Sequence, residues 1–581
     1  MEILNKIKEL LTQGFINEEN GVLKESVIGN IFLSLGTSVL CFAASLLLLN
    51  SLGFFLGFEV SSLSVMISLV VSALFLIISA GKLSGFKWVP FGLLAFALIV
   101  LAGFYVMKFQ SKVFDISYDG QAYHQEAIFQ LVKGWNPVYK QLTSEEANNM
   151  HRLLNHYSKG PWIMSASIFK LTGQIETAKI FTPLFIIASF LIVASFLTSV
   201  RSINPVFSIS IALLAALNPV SIYQSLSFYV DGQLMSLLIC LISASAIVYL
   251  SKNSYSLWTL FSTLVILLNI KLTAVAYATI LLAGPFLALF LKEKIDKLIA
   301  FSSVTVVSYF IGIVVIGFNP YVTNTLYKGN PLYPVVGSGA EAYIEGNMPE
   351  NYFNKNPVSR LFSSAFSKSE NVRGKGKFAS LKNPFSVSPE ETKAFGAMGA
   401  KVGGWGPLFG AALIISLLGF ATLIALGKET KLGKSALLII GLILISCFIN
   451  PISSLARFVP QFYLIPLIIS VFIFMGRGVF TKTFGIAVMA ILIANNYLIA
   501  QSYFNYNFEM TKRWEEKLVE LSDRSGEKAL VIDFDQFRLS GMERFKNYGI
   551  DYIEAKSEEC KNSARLFPES VIIECKEQSS N

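Results

Sequence analysis

The sequence predicts a polytopic α-helical membrane protein with about 13 transmembrane helices of roughly 20 residues each. Of its 581 residues, 53% are hydrophobic and only 15% are charged, and the mean hydropathy is +0.57. Soluble domains carry about 25% charged residues, so a water-soluble protein of this length is excluded. The net charge of +9 then predicts basic cytoplasmic loops rather than a nucleic-acid surface.

Apolar runs that are long enough to form membrane helices follow one another along the chain. We predict spans at residues 27–50, 60–80, 88–108, 178–199, 203–221, 232–251, 256–270, 272–291, 298–317, 405–426, 435–450, 458–476 and 483–500. The stretch 256–291 fits either one long tilted helix or two short helices that turn at residues 269–271. We favour two helices, because Lys252 and Lys292 then lie on the same side of the membrane.

Basic residues in the short loops predict the orientation of the chain. Placing the N terminus in the cytoplasm puts most short-loop Lys and Arg residues inside and leaves Lys271 and Arg457 in the short outer connections. This asymmetry follows the positive-inside rule, from which long loops are exempt. Residues 1–26 lack the pattern of a secretory signal, and the apolar spacing at residues 3–11 predicts a short helix on the cytoplasmic surface.

This orientation predicts a multi-pass protein of the cell (inner) membrane with a periplasmic or extracellular C terminus. Residues 1–500 form the transmembrane module, which carries two large outer loops at 109–177 and 318–404. Residues 501–581 form an extracytoplasmic C-terminal domain. Alternating apolar residues in this domain predict a small α/β fold.

The cysteines agree with this division of the chain. Cys41, Cys240 and Cys447 fall in apolar spans, where we expect inert core thiols. Cys560 and Cys575 both fall in the C-terminal domain, in an oxidising compartment. A disulfide between those two residues and a pair of free thiols are equally open alternatives.

Polar and ionisable residues from distant parts of the sequence collect at the outer face. The first outer loop carries all three histidines, His124, His151 and His156, together with Asp115 and Asp119. Ionisable groups at membrane depth are expensive and usually functional. We therefore predict an active site on the outer face, to which the other outer connections contribute Gln224, Asp231, Lys271 and Arg457.

Asp119 is the leading catalytic candidate and Asp115 is the runner-up. Asp119 is followed closely by Tyr123 and His124, so a carboxylate, an aromatic ring and an imidazole lie together at the membrane boundary. Both aspartates also fit the simpler interpretation of solvated loop carboxylates. His124 also fits a role in orienting the loop by hydrogen bonding.

The other candidates have alternative interpretations as well. Asp231 fits either a helix cap or a ligand contact, while Lys271 fits either an interfacial side chain that extends to water or an anion-binding group, as does Arg457. His151 and His156 are five residues apart, which misses the i, i+4 spacing of a helical metal pair. We therefore predict no metal site, and the sequence requires no cofactor, although a divalent cation stays open.

Short motifs follow one another through the loops, at 119–124, 134–137, 156–162, 218–219, 229–232, 270–273, 329–334 and 456–458. In their order, these motifs resemble the GT-C superfamily of integral-membrane glycosyltransferases, in its bacterial form. Two departures from the family pattern are that two extra spans precede the first outer loop and that Gly120, not a second carboxylate, follows Asp119. The Trp-Trp-Asp type motif of oligosaccharyltransferases is also missing.

The resemblance implies transfer of a sugar from a polyprenyl-phosphate-linked donor to a glycan, lipid or protein acceptor, with inversion. Asp119 would be the general base, and Lys271 and Arg457, helped by Lys159, would bind the leaving phosphate. The remaining substrate-binding candidates are Tyr123, His124, Gln224 and Asp231. The bilayer is an expected partner and nucleic acid is not. Competing interpretations are a lipid-linked-glycan transporter or flippase, a polysaccharide polymerase or ligase of another membrane fold, and a non-enzymatic assembly factor.

Overall fold

The structure, a computed structural model, describes residues 22–24, 26–251, 253–334, 344–425, 430–476, 478–555, 562–568 and 570–576. The predicted surface helix at residues 3–11 lies outside the described residues. Cys560 does so as well.

The chain is a multi-pass helical membrane protein, as predicted. Eight helices are long and apolar enough to cross a membrane: Val27–Phe55, Leu63–Ser84, Phe86–Gln110, Ile175–Ser199, Asp231–Leu250, Thr273–Leu291, Ile295–Ile316 and Val479–Glu527. Shorter apolar helices are Pro205–Ala216, Tyr255–Leu267, Phe409–Ala425, Leu432–Phe448 and Pro460–Met475. Each predicted span overlaps one of these helices. Which end of the bundle faces the cytoplasm stays a prediction.

The stretch 256–291 forms two helices, Tyr255–Leu267 and Thr273–Leu291, as predicted. Asn269 anchors the turn between them, because its Nδ2 donates to the carbonyl oxygens of Val265 and Gly312, each at 2.9 Å. The turn presents Lys271 at the end of the bundle that carries the predicted outer residues.

Helix Val27–Phe55 lies in the interior of the bundle, whereas Phe86–Gln110 is exposed along almost its whole length. Buried hydroxyl groups join the first helix to its neighbours. Thr37 bonds to Thr259 at 2.6 Å, and Ser72 Oγ donates to the Ser38 carbonyl oxygen at 2.6 Å. Such bonds are a common means of association between membrane helices, since lipid supplies no hydrophobic driving force between them.

The first outer loop folds into short helices that pack on the bundle. These are Gly120–His124, which is a wide π turn, Gln125–Val132, Ser144–Ala147, His151–His156 and Gly160–Thr172. Helix Gly160–Thr172 is buried along residues 160–169, because Trp162 and its neighbours pack into the core.

The second outer loop is a folded cap on the bundle. Its helix Pro357–Ala365 lies on the turn 450–458, where Ser364 Oγ donates to the Ser454 carbonyl oxygen at 2.6 Å. Within this loop, Lys382 and Glu391 form a buried ion pair at 2.5 Å. Further short helices among the described residues of this loop include Thr323–Lys328, Glu350–Tyr352 and Pro389–Lys393.

The C-terminal region forms the predicted small α/β unit. Helix Val479–Glu527 runs through residue 500, where we placed the domain boundary, and leads into a four-stranded sheet. The elements are β1 (Leu530–Asp533), a helix at Arg538–Asn547, β2 (Tyr552–Glu554), β3 (Asn562–Arg565) and β4 (Ile573–Lys576). The strand order is β2-β1-β4-β3, with β1 and β2 parallel and the other pairs antiparallel. Cys575, in the last strand, is disulfide-bonded, while Cys41, Cys240 and Cys447 are free thiols.

Candidate active site

Four of the predicted site residues form one ion network at the end of the bundle that carries the large loops 109–177 and 318–404. Arg457 Nη1 lies 3.2 Å from Asp119 Oδ2 and 3.8 Å from Asp231 Oδ2, so it bridges the two carboxylates. Lys271 Nζ lies 2.5 Å from Asp231 Oδ1. The network thus contains two carboxylates and two cations drawn from four distant segments of the chain.

Each member of the network stands where a helix begins or ends. Asp119 directly precedes the π turn Gly120–His124, and Asp231 is the first residue of its membrane helix. Lys271 lies on the turn before Thr273–Leu291, and Arg457 precedes the short helix that starts at Pro460. The charged side chains therefore lie at helix ends rather than at the middle of the bundle.

Asp231 binds side chains of the network and does not cap its helix. Its Oδ2 accepts from Gln224 Nε2 at 3.0 Å, and Gln224 Oε1 in turn accepts from the Gly232 N–H at 2.8 Å. Gln224 therefore joins the network through Asp231. Of our two interpretations of Asp231, the helix cap is not what the geometry shows, and the ligand contact stays a prediction.

Aromatic rings contact both cations of the network. The Arg457 guanidinium lies 4.9 Å from the ring centroid of Tyr229 and 5.1 Å from that of Phe458, and Lys271 Nζ lies 4.1 Å from the Phe458 centroid. Cations over aromatic faces gain electrostatic energy when water is excluded. The rings hold both side chains in place while leaving the cations partly accessible.

Asp119 is ionised in this setting. Burial raises the pKa of this carboxyl group, but the neighbouring positive groups, first among them the Arg457 guanidinium, together outweigh burial and hold the pKa of Asp119 below its ordinary value. Burial raises the pKa of Tyr229 well above its ordinary range, so this residue keeps its proton and hydrogen-bonds to Asp119. Asp119 is thus a carboxylate with a cation on one side and a hydroxyl donor on another.

His124 orients the loop that carries Asp119, which is one of the roles that we weighed for it. Trp162 Nε1 donates to His124 Nδ1 at 2.7 Å. Burial lowers the pKa of His124 to about 4, so its imidazole is neutral at physiological pH and Nε2 carries the proton. Tyr123 stacks beside it, with ring centroids 4.3 Å apart.

Asp115 is buried, and backbone groups fill the hydrogen-bonding capacity of its carboxylate. This argues against a catalytic role for Asp115, which was our second candidate. Its Oδ1 accepts from the Ser117 N–H and its Oδ2 from the Phe228 N–H, both at 2.8 Å. A Cβ at Gly120 would lie 2.0 Å from Asp115 Oδ2. A second carboxylate after Asp119 therefore does not fit this loop.

Lys159 is buried outside the ion network. Its Nζ donates to the carbonyl oxygens of Asn155 at 3.1 Å and Tyr157 at 2.5 Å, and it lies over the ring of Trp162. Burial lowers the pKa of Lys159 well below its ordinary value. These contacts fit a structural role better than the predicted phosphate contact.

The remaining histidines lie elsewhere in the outer region. His156 Nδ1 lies 2.7 Å from Asn324 Oδ1, in a cluster with Tyr333 that is separate from the network.

Among the residues that the structure describes, no three His, Cys, Asp or Glu side chains converge as a metal ion would require.

Sequence reasoning missed two residues around the site. Lys401, from the second outer loop, lies near Asp119 and Arg457, and burial followed by the repulsion of Arg457 and Arg373 lowers its pKa to about 7. Arg544, from the C-terminal domain, donates to Gln121 Oε1 at 2.9 Å beside the Asp119 loop. Neither residue belongs to a recognisable motif. The glycines near Lys401 do indicate that the backbone there approaches another segment closely.

A scan against protein-family models finds no match to the chain, and a search of curated proteins finds no significant relative. What the sequence and the fold establish together is therefore the broad class: the chain is a polytopic helical membrane protein with a small C-terminal four-stranded sheet.

Proposed function

We propose that this protein is a glycosyltransferase of the GT-C type that uses a polyprenyl-phosphate-linked sugar at the outer face of the membrane. One observation carries the proposal: Asp119, Asp231, Lys271 and Arg457 form a single ion network at one end of the bundle. A lipid-linked donor presents its phosphate at this depth, with its chain in the bilayer.

The charge balance of the network suits an anionic leaving group. Lys271 and Arg457 each contact a carboxylate and retain accessible surface, 24% and 12% of the side chain. A donor phosphate would replace part of these contacts. Fixed cations near developing negative charge stabilise the transition state strongly when water is excluded.

Asp119 would act as the general base. It would take a proton from the acceptor hydroxyl as that oxygen attacks the anomeric carbon, and the phosphate would leave with the electron pair of the broken bond. A base of this kind contributes about 10²–10⁴-fold to the rate. Attack opposite the leaving phosphate would invert the anomeric centre, as in inverting glycosidases.

The position of the network favours an enzyme over a transporter. Transporters bind their substrate near the bilayer midplane with discontinuous helices, whereas here the charged side chains stand at helix ends next to large outer loops. A polymerase or ligase of another membrane fold is the alternative enzyme class. It would use the same cations without needing Asp119 as a base.

The test is sugar transfer from a polyprenyl-phosphate-sugar donor by the purified protein in lipid. We expect Asp119→Asn to reduce the turnover rate by about 10²–10⁴-fold, because the asparagine amide cannot act as a base at neutral pH. Asp296→Asn is the matched control, since Asp296 is an exposed first-turn carboxylate remote in sequence from the network. Wild-type turnover in a folded Asp119→Asn protein would contradict the base assignment.

A further inference from the structure

A line of cations leads from the ion network along the second outer loop. The Lys401 N–H donates to Asn371 Oδ1 at 3.2 Å, two residues before Arg373. The same segment packs against the residue before Arg457, since a Cβ at Gly404 would lie 2.9 Å from Ala456 Cβ. Arg373 is followed by Lys375 and Lys377, which alternate with glycines and are all exposed. We call Arg457, Lys401, Arg373, Lys375 and Lys377 the cationic strip.

Acidic side chains do not neutralise the outer part of this strip. Within the described part of the chain, no carboxylate oxygen lies within 4.0 Å of the basic nitrogens of Arg373, Lys375 or Lys377. The Glu350 carboxylate, whose Oε2 accepts from the Gly376 N–H at 2.6 Å, supplies one negative charge beside these three cations. The segment therefore keeps an excess of positive charge, and an anionic partner bound along it would relieve the repulsion between the cations.

The loop that carries the strip lies over the end of the bundle. Its helix Pro357–Ala365 is fastened to the turn 450–458, and Glu370 pairs with Val402 through backbone hydrogen bonds. The strip therefore starts at the ion network and runs across an end surface rather than along the lipid-facing flank. A polymer in the aqueous compartment can reach such a surface, whereas a bilayer lies along the flank.

We propose that the cationic strip binds a glycan with repeated carboxylate or phosphate groups, and that this anionic glycan is the acceptor. Its role as acceptor rests on the proposed function, while its binding does not. Negative groups along the polymer would lie over successive cations and direct a chain end towards Asp119. Phe378, which is 59% exposed beside Lys377, offers a ring on which a sugar can stack.

Binding can be measured without a donor, on the full-length protein in nanodiscs of neutral phosphatidylcholine. The probes are polygalacturonate for carboxylates, poly(glycerol phosphate) for phosphodiesters, and neutral dextran as the reference. The test variant combines Arg373→Ala, Lys375→Ala and Lys377→Ala, all at exposed positions. The matched control removes the same charge elsewhere, by Lys512→Ala, Arg513→Ala and Lys517→Ala on helix Val479–Glu527.

We expect the strip variant to bind one or both polyanions about tenfold more weakly than wild type, since each surface charge contributes a modest amount. The control variant should bind as wild type does, dextran should not bind, and added salt should weaken the interaction. The polyanion that binds identifies carboxylate or phosphate as the recognised group.

Equal binding by the test and control variants would overturn the proposal, as would absence of polyanion binding by the wild-type protein. Strip-dependent capture of phosphatidylglycerol vesicles without polyanion binding would overturn it in favour of a membrane contact. Polyanion binding that persists when no sugar transfer is detectable would leave the strip assignment standing. In that case the proposed transferase function alone would fail.

Discussion

Asp119 Oδ2 lies 3.2 Å from Arg457 Nη1, although the two residues are 338 positions apart in the sequence. The same nitrogen lies 3.8 Å from Asp231 Oδ2. The carboxylate proposed as the base is therefore held by a cation proposed to bind the leaving phosphate. Both side chains are largely buried, so a phosphate that binds Arg457 would replace Asp119 as the partner of this cation and free Asp119 to accept a proton.

Replacement of Lys271 tests the phosphate role within the proposed function. We expect Lys271→Ala to weaken donor binding about 10- to 100-fold, since a charge-assisted contact to phosphate is lost. Lys271→Arg should restore part of the affinity because the charge returns. Donor binding in lipid is the measurement, and an unchanged dissociation constant for Lys271→Ala would remove this residue from the phosphate site.

Gly120 lies where a side chain has no space. Gly120→Ala would place a Cβ 2.0 Å from Asp115 Oδ2 and 2.3 Å from Ser117 Oγ. We expect the variant to lose about 1–3 kcal/mol of stability, which is typical of overpacking, and to displace Asp119. Gly103→Ala is the control, since nothing lies within 4 Å of its Cβ position. Equal melting temperatures for the two variants in detergent would show that the loop rearranges freely.

Arg544 joins the C-terminal domain to the loop that carries Asp119. Its guanidinium lies between the rings of Phe114 and Trp514, at 5.0 and 4.8 Å, and donates to Gln121. We expect Arg544→Met to cost about 1–3 kcal/mol, because Gln121 loses its donor while buried. Limited proteolysis should then cleave the C-terminal domain faster. Arg538→Met, which removes a more exposed pair with Glu554, is the comparison; equal cleavage of both variants would contradict the prediction.

The ionisation of Lys401 predicts how polyanion binding depends on pH. Burial and the neighbouring Arg457 and Arg373 lower its pKa to about 7, although Asp119 and Asp231 act in the opposite direction. A lysine is cationic below its pKa, so binding should strengthen as the pH falls from 8 to 6. Arginine stays charged throughout this range.

Titration of polyanion affinity between pH 6 and 8 measures this effect. We expect a change of a few-fold for the wild-type protein and a flat profile for Lys401→Arg. The same slope in both proteins would assign the pH dependence to another group.

Helix periodicity and local charge predicted the parts of the fold that depend on local sequence. Each predicted span overlaps a helix. The chain also turns near Lys271, as we predicted from the requirement that Lys252 and Lys292 lie on the same side of the membrane. Hydropathy works well here because a membrane helix must satisfy its backbone hydrogen bonds internally. The boundary at residue 500 could not be located in this way, because helix Val479–Glu527 changes from apolar to polar without a break.

Composition and hydropathy were enough to predict the membrane class, the order of the helices and the polar residues that could form a site. Which of those residues meet became clear only in the folded chain: Asp119, Asp231, Lys271 and Arg457 converge, while Asp115 and Lys159 hydrogen-bond to backbone groups. Lys401 and Arg544 also lie in the site region, although neither belongs to a sequence motif. Ion pairing and steric exclusion act between segments far apart in the chain, and no local pattern records those distances.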